Sequence, residues 1–201
     1  MDNKNIKAFH QEVQNKIKNI LVEFGEGKIS TEQFNILYER YSNQLDMAVA
    51  AMEGAAGMSA APGSEMPTMA IRQATTGKAV GLSIYHHRSG TMIETLGTFD
   101  LPSDVISPTL NELSHKLEGN EFVEPVTQKL PSGVWIVFMA RRFTTSVVIF
   151  RNEPSPQQIR ELERLHHDFE EANRHFLDKT TVDGDKLARP FQRIVRKKLG
   201  N

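Results

Sequence analysis

The sequence predicts an α+β fold: a five-stranded antiparallel sheet, in the order hairpin, helix, three strands and long helix, preceded by an N-terminal helical hairpin. Three observations predict it. Gly133 to Phe150 is a near-continuous apolar run, broken once at Arg141-Arg142-Phe143-Thr144. Apolar residues recur at steps of three and four up to Met52, and again after Ser103 and Ser155. Between the first helical pattern and the first strand lies a stretch, Gly54 to Pro67, dominated by Gly, Ala, Ser, Pro and Met.

The apolar run organises the rest. Val134, Ile136 and Phe138 alternate with Trp135, Val137 and Met139, and both sets are apolar, as in a strand covered on two faces. Val147 to Phe150 repeat the pattern after the break. A buried helix is the competing reading. Segments of about eight residues, rich in β-branched side chains, favour two central strands joined by a short polar turn. The run offers no reactive constellation.

At the N-terminus, Ile6, Phe9, Val13, Ile17, Ile20 or Leu21, and Phe24 fall on one stripe of a helix. Gly25-Glu26-Gly27 ends it, because glycine tolerates the left-handed exit geometry. Ser30 and Gln33 form a capping box for a second helix, whose stripe is Phe34, Leu37, Tyr41, Leu45, Ala48 and Met52. So short a connection implies an antiparallel hairpin. Two helices bury little core alone, so the hairpin is expected to meet another surface, with Tyr38 and Tyr41 as candidate anchors beside the plainer reading of simple packing.

Residues 1–53 are therefore read as the hairpin, 54–68 as a linker, 69–178 as the sheet domain and 179–201 as a basic tail. In the sheet domain, Val80, Leu82 and Ile84 begin a hairpin that turns at His86-His87-Arg88-Ser89-Gly90 and returns through Met92, Ile93 and Leu96. A helix follows from Ser103 to Glu118, with Pro108 a candidate to move its start to Ser107. Phe122, Val123 and Val126 are assigned to a third strand, in which Pro125 argues for an edge or a bulge. After Phe150, Ser155, Pro156 and Gln158 give a capping box for the last helix, expected to reach Asp178 and to overhang the domain, leaving Phe169 and Phe176 for a partner. The sheet is expected to carry its helices on one side.

The tail holds seven basic and two acidic residues, a local +5 that leaves −6 on the preceding residues of a chain whose total is −1. Phe191, Ile194, Val195 and Leu199 form one face of a short helix, with Arg193, Arg196, Lys197 and Lys198 around it. Three readings compete: a solvated tail, weak contact with an acidic protein or anionic membrane surface, and nucleic acid. The last is disfavoured because stacking aromatics and a recognisable module are missing.

Composition narrows the chemistry. An apolar share of 39% with 24% charged residues fits a folded chain, and a net charge of −1 provides no global field that selects nucleic acid or membrane. Cysteine is absent, which excludes disulfides, thiolate catalysis and cysteine-ligated metal. No window approaches the ~20 apolar residues a bilayer span requires, so a cytoplasmic location is expected, with the tail as a membrane-peripheral contact.

Candidate catalytic residues are sparse. His86-His87 falls in a turn, and His166-His167 lies on a helix where neighbours diverge by about 100°. Neither matches His-Glu-x-x-His, and adjacent helical histidines chelate one ion poorly. His166 or His167 beside Glu163, Asp168 or Glu170 gives the best enzyme reading, against the plainer one of a solvated or interface histidine. Thr75-Thr76-Gly77-Lys78 resembles the end of a phosphate loop, but its lysine leads into a strand instead of a helix. Met52, Met58, Met66 and Met69 lack a metal-ligand spacing. No cofactor is expected. Arg141 and Arg142, projecting from the turn between the central strands, are the stronger polar feature: guanidinium pairs bind carboxylate or phosphate bidentately, although charged turns also simply keep sheets soluble.

With its glycine turn Tyr85-His86-His87-Arg88-Ser89-Gly90-Thr91-Met92, its helix from Ser103 and its three strands ending at Phe150 before a final helix, the region of residues 78–178 resembles the roadblock/LC7-like family, within the longin and profilin-like group. The family's opening helix has only Met69 to Thr76 to match it, and the helical hairpin lies outside the family domain. The resemblance implies a noncatalytic dimerisation platform, associated with small GTPases or signalling assemblies, and no catalytic residue to carry over. The expectation is a homodimeric regulatory or scaffold protein, with an effector-binding sensory module using a pocket between sheet and helices as the alternative, and a histidine–carboxylate enzyme as the third class.

Overall fold

The N-terminal apolar stripes fold into two helices, α1 (Asn3–Gly25) and α2 (Thr31–Gly57), in a computed structural model that describes residues 3–57, 77–119 and 121–192. Gly27 takes φ 72°, and the Lys28 N–H reaches the Glu23 carbonyl while Gly27 N–H reaches Phe24, at 2.8 and 2.9 Å. This is the paired closure a left-handed glycine makes possible. Ser30 and Gln33 then cap α2 reciprocally, at 2.9 and 3.2 Å. Val13, Ile17, Phe24, Phe34, Leu45 and Ala48 are buried. The ring centroids of Phe24 and Phe34 lie 5.0 Å apart and those of Phe34 and Tyr38 5.4 Å apart. α2 continues to Gly57, past the expected end at 53; the rest of the expected linker, and Met69 to Thr76, lie outside the described residues.

The chain divides into two compact units, Met1–Ala74 and Thr75–Asn201. In the second, β1 (Ala79–His86), β2 (Met92–Gly97), β3 (Val126–Lys129), β4 (Trp135–Ala140) and β5 (Thr144–Phe150) form one sheet in the order β2-β1-β5-β4-β3, every neighbouring pair antiparallel. The expected fold class is the observed one. All of β5 and all but the first residue of β4 are buried, as their two apolar faces require.

Helix α3 (Ser103–Glu118) and helix α4 (Pro156–Leu177) lie on opposite faces, not on one as expected. Ile106 and Leu113 of α3 pack with Ile136, Phe138, Ala140 and Val147. His166 of α4 instead reaches Thr144 and Ser146, whose side chains point the other way along β5. Pro108 sits inside α3 without moving its start. β3 begins at Val126, after Pro125, so Phe122 and Val123 precede the strand; Phe122 is 88% exposed. The physical reason is the missing proline donor, which prevents pairing through residue 125.

Helix α4 has the expected capping box, and Gln158 also donates to the Gly77 carbonyl at 2.7 Å. A side chain at Gly77 would meet Pro154 and Glu153, so its place is packing and not a phosphate cradle. The helix does not overhang: Leu162, Leu165, Phe169, Ala172 and Leu177 are all buried. Residues 179–192 supply much of the reason, because they fold back instead of forming a solvated tail. Leu187, Ala188 and Phe191 are buried, and Asn173 clamps Ala188 twice, accepting from its N–H at 2.8 Å and donating to its carbonyl at 3.0 Å. Arg193, Arg196, Lys197 and Lys198 lie outside the described residues.

Candidate functional site

The polar side chains concentrate where β4 turns into β5. Residues 141–143 make that turn, closed by Arg141 N–H donating to the Thr144 carbonyl at 2.9 Å. Beneath it, Glu170 of α4 is almost fully buried, and its Oε1 accepts from Phe143 N–H, Thr144 N–H and the Thr144 hydroxyl at 2.9, 2.9 and 2.8 Å. Two successive backbone donors on one carboxylate oxygen form an anion cradle built by the turn itself. The other oxygen, Oε2, lies 3.9 Å from Arg141 Nε.

A hydroxyl has one proton, which assigns the rest. Thr144 donates to Glu170, so its oxygen accepts from His166 Nε2 at 2.8 Å. His166 is then the Nε2–H tautomer, and its Nδ1 accepts from the Ser146 hydroxyl at 3.3 Å. The chain Ser146–His166–Thr144–Glu170 is internally satisfied. Burial, reinforced by Arg141, His87 and His167, pushes the His166 pKa down to about 3, keeping the ring neutral. Burial raises the Glu170 carboxyl, against the opposing pull of its donors and Arg141.

The opposite face of the sheet braces the same turn. His87 N–H donates to the Phe143 carbonyl at 2.9 Å, its Nε2 lies 2.8 Å from Thr145 Oγ1, and its ring donates to the Arg142 carbonyl. Burial, opposed by that bond, lowers the His87 pKa to about 4. His86, on the face of α4, holds the C-terminus of that helix, its Nε2 donating to the Leu177 carbonyl at 2.8 Å while Nδ1 faces Ser89 Oγ at 2.9 Å. Both histidine pairs thus serve the same end of the domain, from two faces of β5. Among the described residues no group of three or more His, Asp or Glu is arranged to hold a metal ion.

The arginines themselves are exposed. Arg141 Nη2 donates to His167 Nδ1 at 3.0 Å, so one guanidinium is tethered to α4. Arg142 makes no ion pair among the described residues, and its guanidinium lies 4.9 Å from the Phe143 ring centroid. Beside them a groove of about 260 Å³ is lined by Leu117, Phe122, Val123, Met139, Glu121 and Glu163. His166 also lines it, at its base, with no solvent-exposed surface.

The residues expected to meet a partner divide. Tyr38, 2% exposed, and Phe169, 0% exposed, pack internally; Phe169 faces Phe191 at 6.0 Å. The partner role expected of those two gives way to core packing. Tyr41 and Phe176 are half-buried, with Phe176 against the His175 ring at 3.8 Å. The network joins His166 and Glu170, two of the residues in the histidine–carboxylate reading, to Thr144 and Ser146, which the sequence reading does not include. Its signal is present: polar residues at 166, 170 and 173 share the stripe of the apolar residues at 162, 169 and 177, and Thr144 and Ser146 share one strand face.

Chemically, the relay has the members of a proton-transfer chain but no access, since Ser146 and His166 are both 0% exposed. A nucleophile must reach its substrate. The exposed chemistry is that of two guanidinium groups on a rigid turn beside an apolar groove. Among the described residues no helix is long and apolar enough to cross a membrane. No family model, curated protein or solved structure matches the chain.

Proposed function

We propose that the protein is a noncatalytic regulatory or scaffold protein, homodimeric, whose sheet domain presents the Arg141–Arg142 turn and the adjoining groove to another protein. One observation carries this reading: the buried carboxylate of Glu170 holds the backbone of that turn by two N–H groups and a hydroxyl. A turn held in this way loses little conformational freedom when a partner docks, and such preorganisation favours binding. Guanidinium groups on it suit a carboxylate-bearing surface. A small GTPase or another signalling protein is the partner class that the roadblock-like order of elements suggests.

Co-purification with crosslink mapping tests it. Crosslinks are expected at residues 141–143, and the Arg142→Glu variant is expected to lose the partner without losing its melting temperature. Turnover that depends on His166 would overturn the noncatalytic reading, and a monodisperse monomer at micromolar concentration by light scattering would overturn the dimer. A second reading, an effector-binding sensory module, draws on the groove of about 260 Å³, which is at the small end for a ligand pocket. Saturable binding of a small molecule that the Met139→Trp variant blocks would favour it.

A further inference from the structure

The groove contains an unfilled piece of sheet. Leu130 N–H donates to the Val134 carbonyl at 2.8 Å, and the β3–β4 register runs Val126↔Phe138, Gln128↔Ile136. Antiparallel strands alternate between hydrogen-bonded and non-hydrogen-bonded pairs. The even-numbered residues of β4 therefore turn their N–H and C=O groups toward β3. Phe138 finds Val126; the next even residue, Ala140, would need residue 124, but pairing stops at Val126 because Pro125 diverts the chain. On that side the Ala140 backbone meets no backbone partner among the described residues.

The diverted segment, Glu121 to Pro125, forms the far wall of the same groove. A short strand-shaped gap results, with the N–H and C=O of Ala140 open toward it, apolar walls and Arg142 adjoining.

We infer that this gap receives an extended peptide of a partner protein, which continues the line of β3 along Ala140 and places an acidic side chain against Arg142. The inference rests on the docking role proposed above and names its occupant. Three features fix the chemistry. Strand addition supplies main-chain hydrogen bonds without regard to sequence. A residue opposite Ala140 puts its side chain on the face of α3, where Leu117 and Val123 ask for an apolar group; Phe122, 88% exposed, stands on the same groove wall. The next cation is Arg142, which has no carboxylate partner among the described residues, whereas Arg141 is held by Glu170 and His167. Glu121 and Glu163 also line the groove, so a peptide acidic along its whole length is disfavoured, and one apolar residue with one acid two positions away fits best.

The test uses the full chain and a random eight-residue peptide library displayed on phage. Enriched peptides are expected to carry a β-branched or aromatic residue two positions from Asp or Glu. The leading peptide is then synthesised with a fluorescent label and titrated by anisotropy. Affinity is expected to fall roughly tenfold or more with Arg142→Glu, and again when the apolar residue of the peptide is N-methylated, which removes one backbone donor. The absence of enrichment overturns the proposal, as does binding indifferent to both changes. Sensitivity to Arg142→Glu without sensitivity to N-methylation overturns strand addition alone and leaves the docking turn standing. If Arg142→Glu changes the sedimentation of the chain by itself, the gap belongs to a second copy and the peptide proposal fails.

Discussion

The two edges of the sheet are closed in different ways. At the β2 edge, the chain covers itself: Gly184 lies so close to the Ile93 carbonyl that a Cβ there would approach to 2.9 Å, and Arg189 pairs with Glu94 at 2.9 Å. Asn173 holds Ala188, and Phe191 fills the space beside Phe169 and His166. At the β3 edge, pairing simply stops four residues after it starts, at a proline, and a groove is left. Exposed edges attract foreign strands, and proteins blunt them by covering, by shortening or by charge. One edge here uses its own C-terminal segment; the other is kept short by Pro125 and leaves the groove open.

If the covered edge is structural, damage there should cost the most stability. Phe191→Ala removes a ring that is 1% exposed, and a loss of about 3 to 5 kcal/mol is expected by urea unfolding. A loss below about 1 kcal/mol would mean that residues 179–192 are only loosely attached. The open edge depends on polar contacts instead. Glu170→Ala strands the N–H groups of Phe143 and Thr144, and a loss of about 2 to 3 kcal/mol is expected. Asn173→Ala, on the covered side, should cost about 2 kcal/mol by the same measurement.

Much of this fold could be read in the sequence, because its signals are local. The Ser155–Gln158 box and the Ser30–Gln33 box are three-residue events, and the doubly apolar β4 and β5 announce burial on both faces. The site could not be read in the same way. Glu170 acts on residues 26 and 27 positions away, and a rule for adjacent histidines says only that one of His166 and His167 faces inward. The covered edge was hidden by charge: the basic residues around Leu187, Ala188 and Phe191 made a buried segment look solvated. The groove depends on where β3 fails to pair, which is fixed by register and not by composition.

Acidity separates the polar side further. His166, at about 3, and His87, at about 4, have folded pKa values below the 6.5 of the unfolded chain. Between those values the unfolded state binds more protons, so stability falls as pH drops from 6.5 through 4 toward 3. Glu170, raised above 4.5 mainly by burial, has the opposite sign, since it loses stability as pH rises through its own raised range, and it offsets part of this. The urea midpoint should be lower at pH 4.5 than at pH 7, and His166→Gln should flatten that difference. A midpoint equal at both pH values would contradict the neutral, buried imidazoles. The smallest effect is expected at the surface: Arg142→Glu should change stability by less than about 0.5 kcal/mol while removing the partner.

Amide hydrogen exchange at Phe143 and Thr144 tests the rigidity of the turn most directly. In the wild-type chain both amides should exchange as slowly as that of Val148 in the middle of β5, and Glu170→Ala should release those two while Val148 stays protected. Rapid exchange at Phe143 and Thr144 in the wild-type chain, at the rate of an open surface turn, would contradict a docking turn held from below.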